Sequence, residues 1–154
     1  MTNLQMISDR LEIEALRSDF TDAGMVRDYD RFASLFTSDG AWRMPHINAL
    51  FVGMCEIRAA VERGQSLFEF FVQTVHSGPI TLDGDEATGR AYVAEFGRLI
   101  GGGSHSNYGV YHDRYRRTRE AWRFTSRTYE LIYVDTTPLQ GAAPPLASDG
   151  WLSR

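Results

Sequence analysis

The period of the apolar residues changes along this chain, and that change limits its fold more than any other feature. Up to about residue 72 apolar side chains recur at helical spacing; beyond it they alternate. Helices first and long strands afterwards predict an α+β domain with segregated layers rather than alternating βαβ units. Ser8 and Asp9 are capping residues, and Ile7, Leu11, Ala15, Leu16 and Phe20 fall on one face of the helix that follows, which Gly24 ends. Asp28 caps a second, short helix carrying Tyr29, Phe32, Ala33 and Phe36, and Thr37 to Gly40 reads as a turn. Ala41 to Met44 is a short strand that Pro45 interrupts. Gly53 precedes a third helix with a stripe of Ile57, Ala60, Val61, Gly64, Phe68 and Phe71.

Four long strands follow, over 74–82, 86–100, 106–117 and 121–135. Asp83-Gly84-Asp85 is the turn of the first hairpin, and Gly101-Gly102-Gly103-Ser104 is a flexible link. Antiparallel strands of this length must curl, and helices covering one face leave a concave pocket. One domain is expected over 1–141, with 142–154 a Pro/Ala-rich tail.

The formal net charge is −4, which argues against a nucleic-acid partner, and no apolar run reaches the roughly 20 residues of a membrane span. Arg114, Arg116, Arg117 and Arg119 read as a solvated hairpin end before a phosphate site. The lone Cys55 excludes an internal disulfide and a C-x-x-C zinc site. The first residues lack the basic start and apolar core of a signal peptide, so a cytoplasmic protein is expected. All 16 basic residues are arginine. Without lysine no imine can form with a carbonyl substrate, and arginine holds its proton too tightly to shuttle it. Any proton carrier is therefore a histidine or a desolvated carboxylate.

Several local runs carry a resemblance: Asp28 to Phe36, Gly40-Ala41-Trp42, Thr74-Val75-His76-Ser77-Gly78, Tyr111 to Tyr115, Ala121 to Phe124, and Thr137 to Gly141. Their order and spacing over residues 7–141 resemble the SnoaL-like branch of the NTF2-like superfamily, nearest the scytalone dehydratase and lindane dehydrochlorinase group. The resemblance implies a cone: a strongly curved antiparallel sheet against three helices, enclosing a pocket. It also implies cofactor-independent acid/base chemistry, by a dehydratase, isomerase or cyclase. The substrate would be a hydrophobic oxygenated small molecule such as a polyketide or other secondary metabolite. An epoxide-opening cyclase or hydrolase and a non-catalytic ligand-binding or assembly subunit are the alternatives. Homodimers or homotrimers through the outer sheet face are implied too.

The group's histidine base falls, by resemblance, on His76, and the aspartate that partners it falls on Met25, a departure from the pattern. Asp22, one helical turn back, could replace that acid or be a solvated helix-end charge. Glu95 lies mid-strand on the face of Ala91, Val93 and Gly97, which the resemblance turns toward the pocket. There it would be desolvated and suited to acid/base work, or ion-paired, with Arg127 as the partner. Arg127 shares a face with Tyr129 and Leu131 and could anchor a carboxylate or enolate oxygen. Tyr111, with Asp113, Asn107 and Gly109 on its face, could donate to an oxyanion or simply pack. Trp42, Met44 and His46 alternate on the first strand as pocket wall and mouth. His46, His76 and His105 lack the local spacing of a metal site, and no metal is expected.

Overall fold

The computed structural model describes residues 2–144. In chain order it contains α1 (Asn3–Met25), α2 (Tyr29–Ser34), β1 (Phe36–Met44), a 3-10 turn (Pro45–Ile47), β2 (Ala49–Val52), α3 (Met54–Ser66), β3 (Phe68–Asp83), β4 (Glu86–Leu99), β5 (Ser104–Arg117) and β6 (Trp122–Asp135). The strands form one curved sheet in the order β2-β1-β6-β5-β4-β3. The β1–β6 pair is parallel and the others antiparallel. The helices lie against its concave side, which is the α+β architecture that the change of period implies.

α1 begins earlier than its sequence signals suggest. Thr2 is the cap, its hydroxyl accepting from the Gln5 N–H at 3.2 Å. Asp9 instead sits fully buried on the inner face with Ile13, Leu16, Arg17, Phe20, Ala23 and Gly24, while Ile7 and Leu11 are exposed. The helix is rotated from the face its apolar residues define because two ionic groups find better partners inside. Asp9 accepts from both Arg117 terminal nitrogens at 2.6 Å and from the Trp122 indole at 3.2 Å. Arg117 holds its carboxyl well below the usual range, at about 2. Arg17 donates to the Tyr115 hydroxyl at 2.7 Å and to the carbonyls of Gly78 and Pro79.

Two short-range expectations are corrected. Thr37 to Gly40 belongs to β1, and the turn-like composition marks the irregularity between Phe36 and Ala41 where β1 runs beside β6. The chain after Pro45 makes one 3-10 turn, passes Asn48 in the left-handed conformation (φ 53°), and returns as β2, which has no sequence signature of its own. The third helix ends at Ser66, so Phe68 and Phe71 belong to β3. The segment after β6 is tied to the sheet where Arg98 donates to the carbonyls of Leu139 and Gly141 at 2.8 and 2.6 Å. Residues 145–154 of the expected tail lie outside the described residues.

One detail of β3 decides where its side chains point. Ile80 stands opposite Gly89, and an uninterrupted ladder would put His76 opposite Val93, on the inner face. A shift between Ser77 and Ile80 changes the register by one residue, so His76 stands opposite Tyr92 instead. A one-residue shift exchanges the faces of a strand. Gly78 permits it, because a Cβ there would lie 2.3 Å from the Arg90 carbonyl oxygen.

Candidate acid/base cavity

Between the concave sheet and the three helices lies a cavity of about 700 Å³. Its walls are largely aromatic: Phe20 and Phe32 from the helices, Trp42 and Phe51 from β1 and β2, Phe68 and Phe71 from β3, Tyr111 and Tyr129 from β5 and β6. His46, Ile47, Arg63, Ser66 and Leu67 are exposed and form its mouth. Phe20 anchors the inner end, with ring centroids 4.3 Å from Phe32 and 5.5 Å from Tyr111.

Glu95 projects from β4 into this apolar space. Burial pushes its carboxyl up to about 7, with the Gln73 amide pulling weakly the other way. Gln73 faces it directly across the β3–β4 ladder and donates to Glu95 Oε1 at 3.2 Å. The Thr21 hydroxyl of α1 donates in turn to Gln73 Oε1 at 2.9 Å. Arg127, the cation that the sequence offered Glu95, makes two hydrogen bonds to Asp113 instead, at 2.9 and 3.1 Å. Among the described residues Glu95 has no ion-pair partner.

Among the described residues three polar atoms of the cavity wall are buried without a protein hydrogen-bond partner: Trp42 Nε1, Asn107 Oδ1 and the Tyr129 hydroxyl oxygen. Buried polar atoms are seldom left unpaired, so these three are positions where water or a ligand can hydrogen-bond. Burial and the nearby Glu95 push the phenols of Tyr111 and Tyr129 up, so both stay protonated and can donate. Tyr129 reaches the wall because Gly109 leaves room; a Cβ there would sit 2.4 Å from the phenol. His105 lines the same wall against the Phe68 ring, and burial lowers its pKa.

The family comparison becomes decisive at this point: the SnoaL-like domain family matches residues 5–128. The chain belongs to the SnoaL-like domain family. Among solved structures, LinA is 26% identical, with 94% of this chain and 100% of that one covered, at a TM-score of 0.84. The type-3 hexachlorocyclohexane dehydrochlorinase LinA of Novosphingobium barchaimii LL02 is 24% identical over 94% of this chain and 100% of its own, at 0.82. A provisionally assigned scytalone dehydratase of Novosphingobium aromaticivorans DSM 12444 shares 20% identity over 97% of this chain and 100% of its own, at 0.78. No curated protein matches. The NTF2-like cone and the membership of this branch are thus both established.

Within this SnoaL-like cone the sequence-derived candidates divide. Glu95, Tyr111, Trp42, Met44, His46, Asn107 and Tyr129 line the cavity. His76 does not; the β3 register shift leaves it exposed on the outer face, correcting its expected placement. Asp22 is exposed and paired with Arg31, as befits a helix-end charge. Arg127 and Asp113 lie behind the wall as a buried pair, out of a ligand's reach. Val93 and Leu131 pack into or against the core rather than on the wall. Met25 is largely exposed, and its Sδ accepts from the Gln73 N–H at 3.2 Å. The β3 residue beside Met25 is Gln73, which touches it through its backbone N–H, so the imidazole expected next to that position is not there. Sequence reasoning missed Gln73 and Thr21; only the register, which pairs Gln73 with Glu95, identifies them. Among the described residues no three His, Cys, Asp or Glu side chains converge as a metal site.

Proposed function

We propose that this protein is a cofactor-independent acid/base enzyme, a dehydratase, isomerase or cyclase, in which Glu95 moves the proton. The observation that carries the reading is an unpaired carboxyl poised near 7 inside an apolar cavity, beside unpaired donors on Trp42 and Tyr129. Near neutral pH such a group is present in both forms and can take a proton and return it. The ionised form removes a proton from the carbon next to a carbonyl. Trp42 N–H and Tyr129 O–H, with Tyr111 beside them, stabilise the charge that develops on the carbonyl oxygen. The protonated form then hands its proton to a departing hydroxyl, releasing water, or to another carbon, giving an isomer; intramolecular attack by the same enolate closes a ring. The aromatic walls suit an uncharged, hydrophobic, oxygenated molecule, of which polyketides and other secondary metabolites are examples. LinA, the hexachlorocyclohexane dehydrochlorinase, supports elimination chemistry on this fold.

Tyr92, Phe96, Tyr108, Ile132 and Val134 are exposed on the sheet and support self-association of two or three copies. No described helix is long and apolar enough to cross a membrane, and we place the protein in the cytoplasm.

The methionine at position 25 and the outward-facing His76 favour a second reading, a cavity that binds the same molecules without turning them over. Proton–deuterium exchange separates the two. A panel of bicyclic hydroxyketones is incubated in D₂O and the signal of the carbon next to the carbonyl is followed by NMR. Enzyme-dependent exchange, lost in Glu95→Gln, is the expected result. Binding without exchange across the panel selects the second reading.

A further inference from the structure

Among the described residues Glu95 has a single hydrogen-bond partner, and that partner is neither a cation nor a simple donor. The Gln73 side-chain amide carries one acceptor oxygen and one NH₂ donor on the same planar group. In the arrangement observed, Thr21 Oγ1 donates to the oxygen and the NH₂ donates to Glu95 Oε1, at 2.9 and 3.2 Å. That arrangement suits an ionised Glu95. A half-turn of the amide about its terminal bond exchanges oxygen and nitrogen without moving the side chain. The oxygen then accepts from protonated Glu95, and the NH₂ donates to the Thr21 hydroxyl, which accepts as readily as it donates. Both protonation states are served with no hydrogen bond lost.

We propose that Thr21 and Gln73 form a reversible relay that positions Glu95 and keeps it partnered as its proton comes and goes. The inference rests on the reading of Glu95 as the proton carrier, and Gln73 is a positioning residue in it. Few other groups can set the Glu95 titration. α1 contributes Thr21, β3 Gln73, β5 the neutral Asn107, Tyr111 and His105, and β6 Tyr129. Arg127 is separated from Glu95 by its stacking on Tyr111 and its pairing with Asp113. His46 and Arg63 stand at the mouth.

The test is NMR titration of the full chain labelled with ¹³C at the glutamate carboxyl and ¹⁵N at the glutamine amide, with no substrate needed. In the unaltered protein the Gln73 NH₂ signals are expected to move with the same midpoint as the Glu95 carboxyl, which a merely space-filling amide would not do. Gln73→Leu removes the one contact that favours the ionised form and raises the Glu95 midpoint by roughly one pH unit. Thr21→Val moves it the same way by less, and Thr21→Ser restores it, so the claim stays testable if Gln73→Leu folds poorly. A Glu95 midpoint that stays put in both Gln73→Leu and Thr21→Val, with a normal fold, overturns the relay while leaving Glu95 as proton carrier. A midpoint near 4.5 in the unaltered protein overturns both.

Discussion

Two carboxylates sit a strand apart in this cone and have opposite surroundings. Asp113, on β5, is wholly enclosed, accepts two hydrogen bonds from Arg127 and one from the Tyr115 hydroxyl at 2.7 Å, and has Arg17 4.0 Å away. Arg127 is itself packed between the rings of Tyr111 and Phe20, 4.1 and 4.2 Å from their centroids. Glu95, on β4, faces an open cavity with one amide for company. Both oxygens of Asp113 and its charge are partnered, so that pair holds the sheet and helix together and keeps Tyr111 in place. The environment of Glu95 is incomplete: no cation offsets its charge, so burial makes its carboxyl hold a proton more tightly than an ordinary one, up to about 7. In this cone the matched acid is structural, and the unmatched acid is the one we propose as the proton carrier.

Substitutions can break that contrast, and the largest effect is expected where the incomplete environment is altered. Glu95→Gln is expected to slow enzyme-dependent exchange by at least about 100-fold, the usual contribution of a positioned acid/base group, with the fold intact by circular dichroism. Asp113→Ala strands the Arg127 charge in the core and is expected to cost roughly 3–5 kcal/mol in urea unfolding, because breaking a buried pair leaves one ion uncompensated. The reverse sign is expected at Glu95. Its carboxyl is pushed up to about 7 in the folded protein, above the ordinary value of 4.5. The unfolded chain therefore gives up this proton first, and Glu95 makes the fold less stable as pH rises from 4.5 to 7. Glu95→Gln removes that penalty and should be more stable than the parent by about 3 kcal/mol at pH 8, with the difference vanishing below pH 4.5. Smallest of all is His76→Ala, whose exposed ring should be dispensable to within about 0.5 kcal/mol and without effect on exchange.

His76 also marks the limit of what could be read without coordinates. Apart from β2, the order of elements was legible from apolar period and turn residues, and strand parity in β4, β5 and β6 together with the family resemblance turned the faces of Glu95, Tyr111, Asn107 and Tyr129 inward. Those strands keep enough of one alternation for sequence parity to hold. β3 does not: Gly78 and Pro79 carry a one-residue shift whose sequence mark is only a glycine before a proline, and it exchanges the two faces. The motif around His76 therefore led to the wrong side of the sheet, and Gln73, with no motif, took the inner position. Asp9 and Arg17 misled for another reason. Helical patterning assigns charges to solvent, and pairing across long sequence separations, 108 residues for Asp9 with Arg117, is invisible to it. The same blindness offered Arg127 as a partner for Glu95, where the structure pairs it with Asp113.

The central claim is that Glu95 is an unpaired, desolvated acid that exchanges its proton near neutral pH. The most direct measurement is the pH titration of its ¹³C-labelled carboxyl in the unaltered protein, assigned by comparison with Glu95→Gln. A midpoint close to 7 is the predicted result. A midpoint at the ordinary value near 4.5 would contradict the account, because Glu95 would then be an ordinary solvated carboxylate with no proton to return at neutral pH.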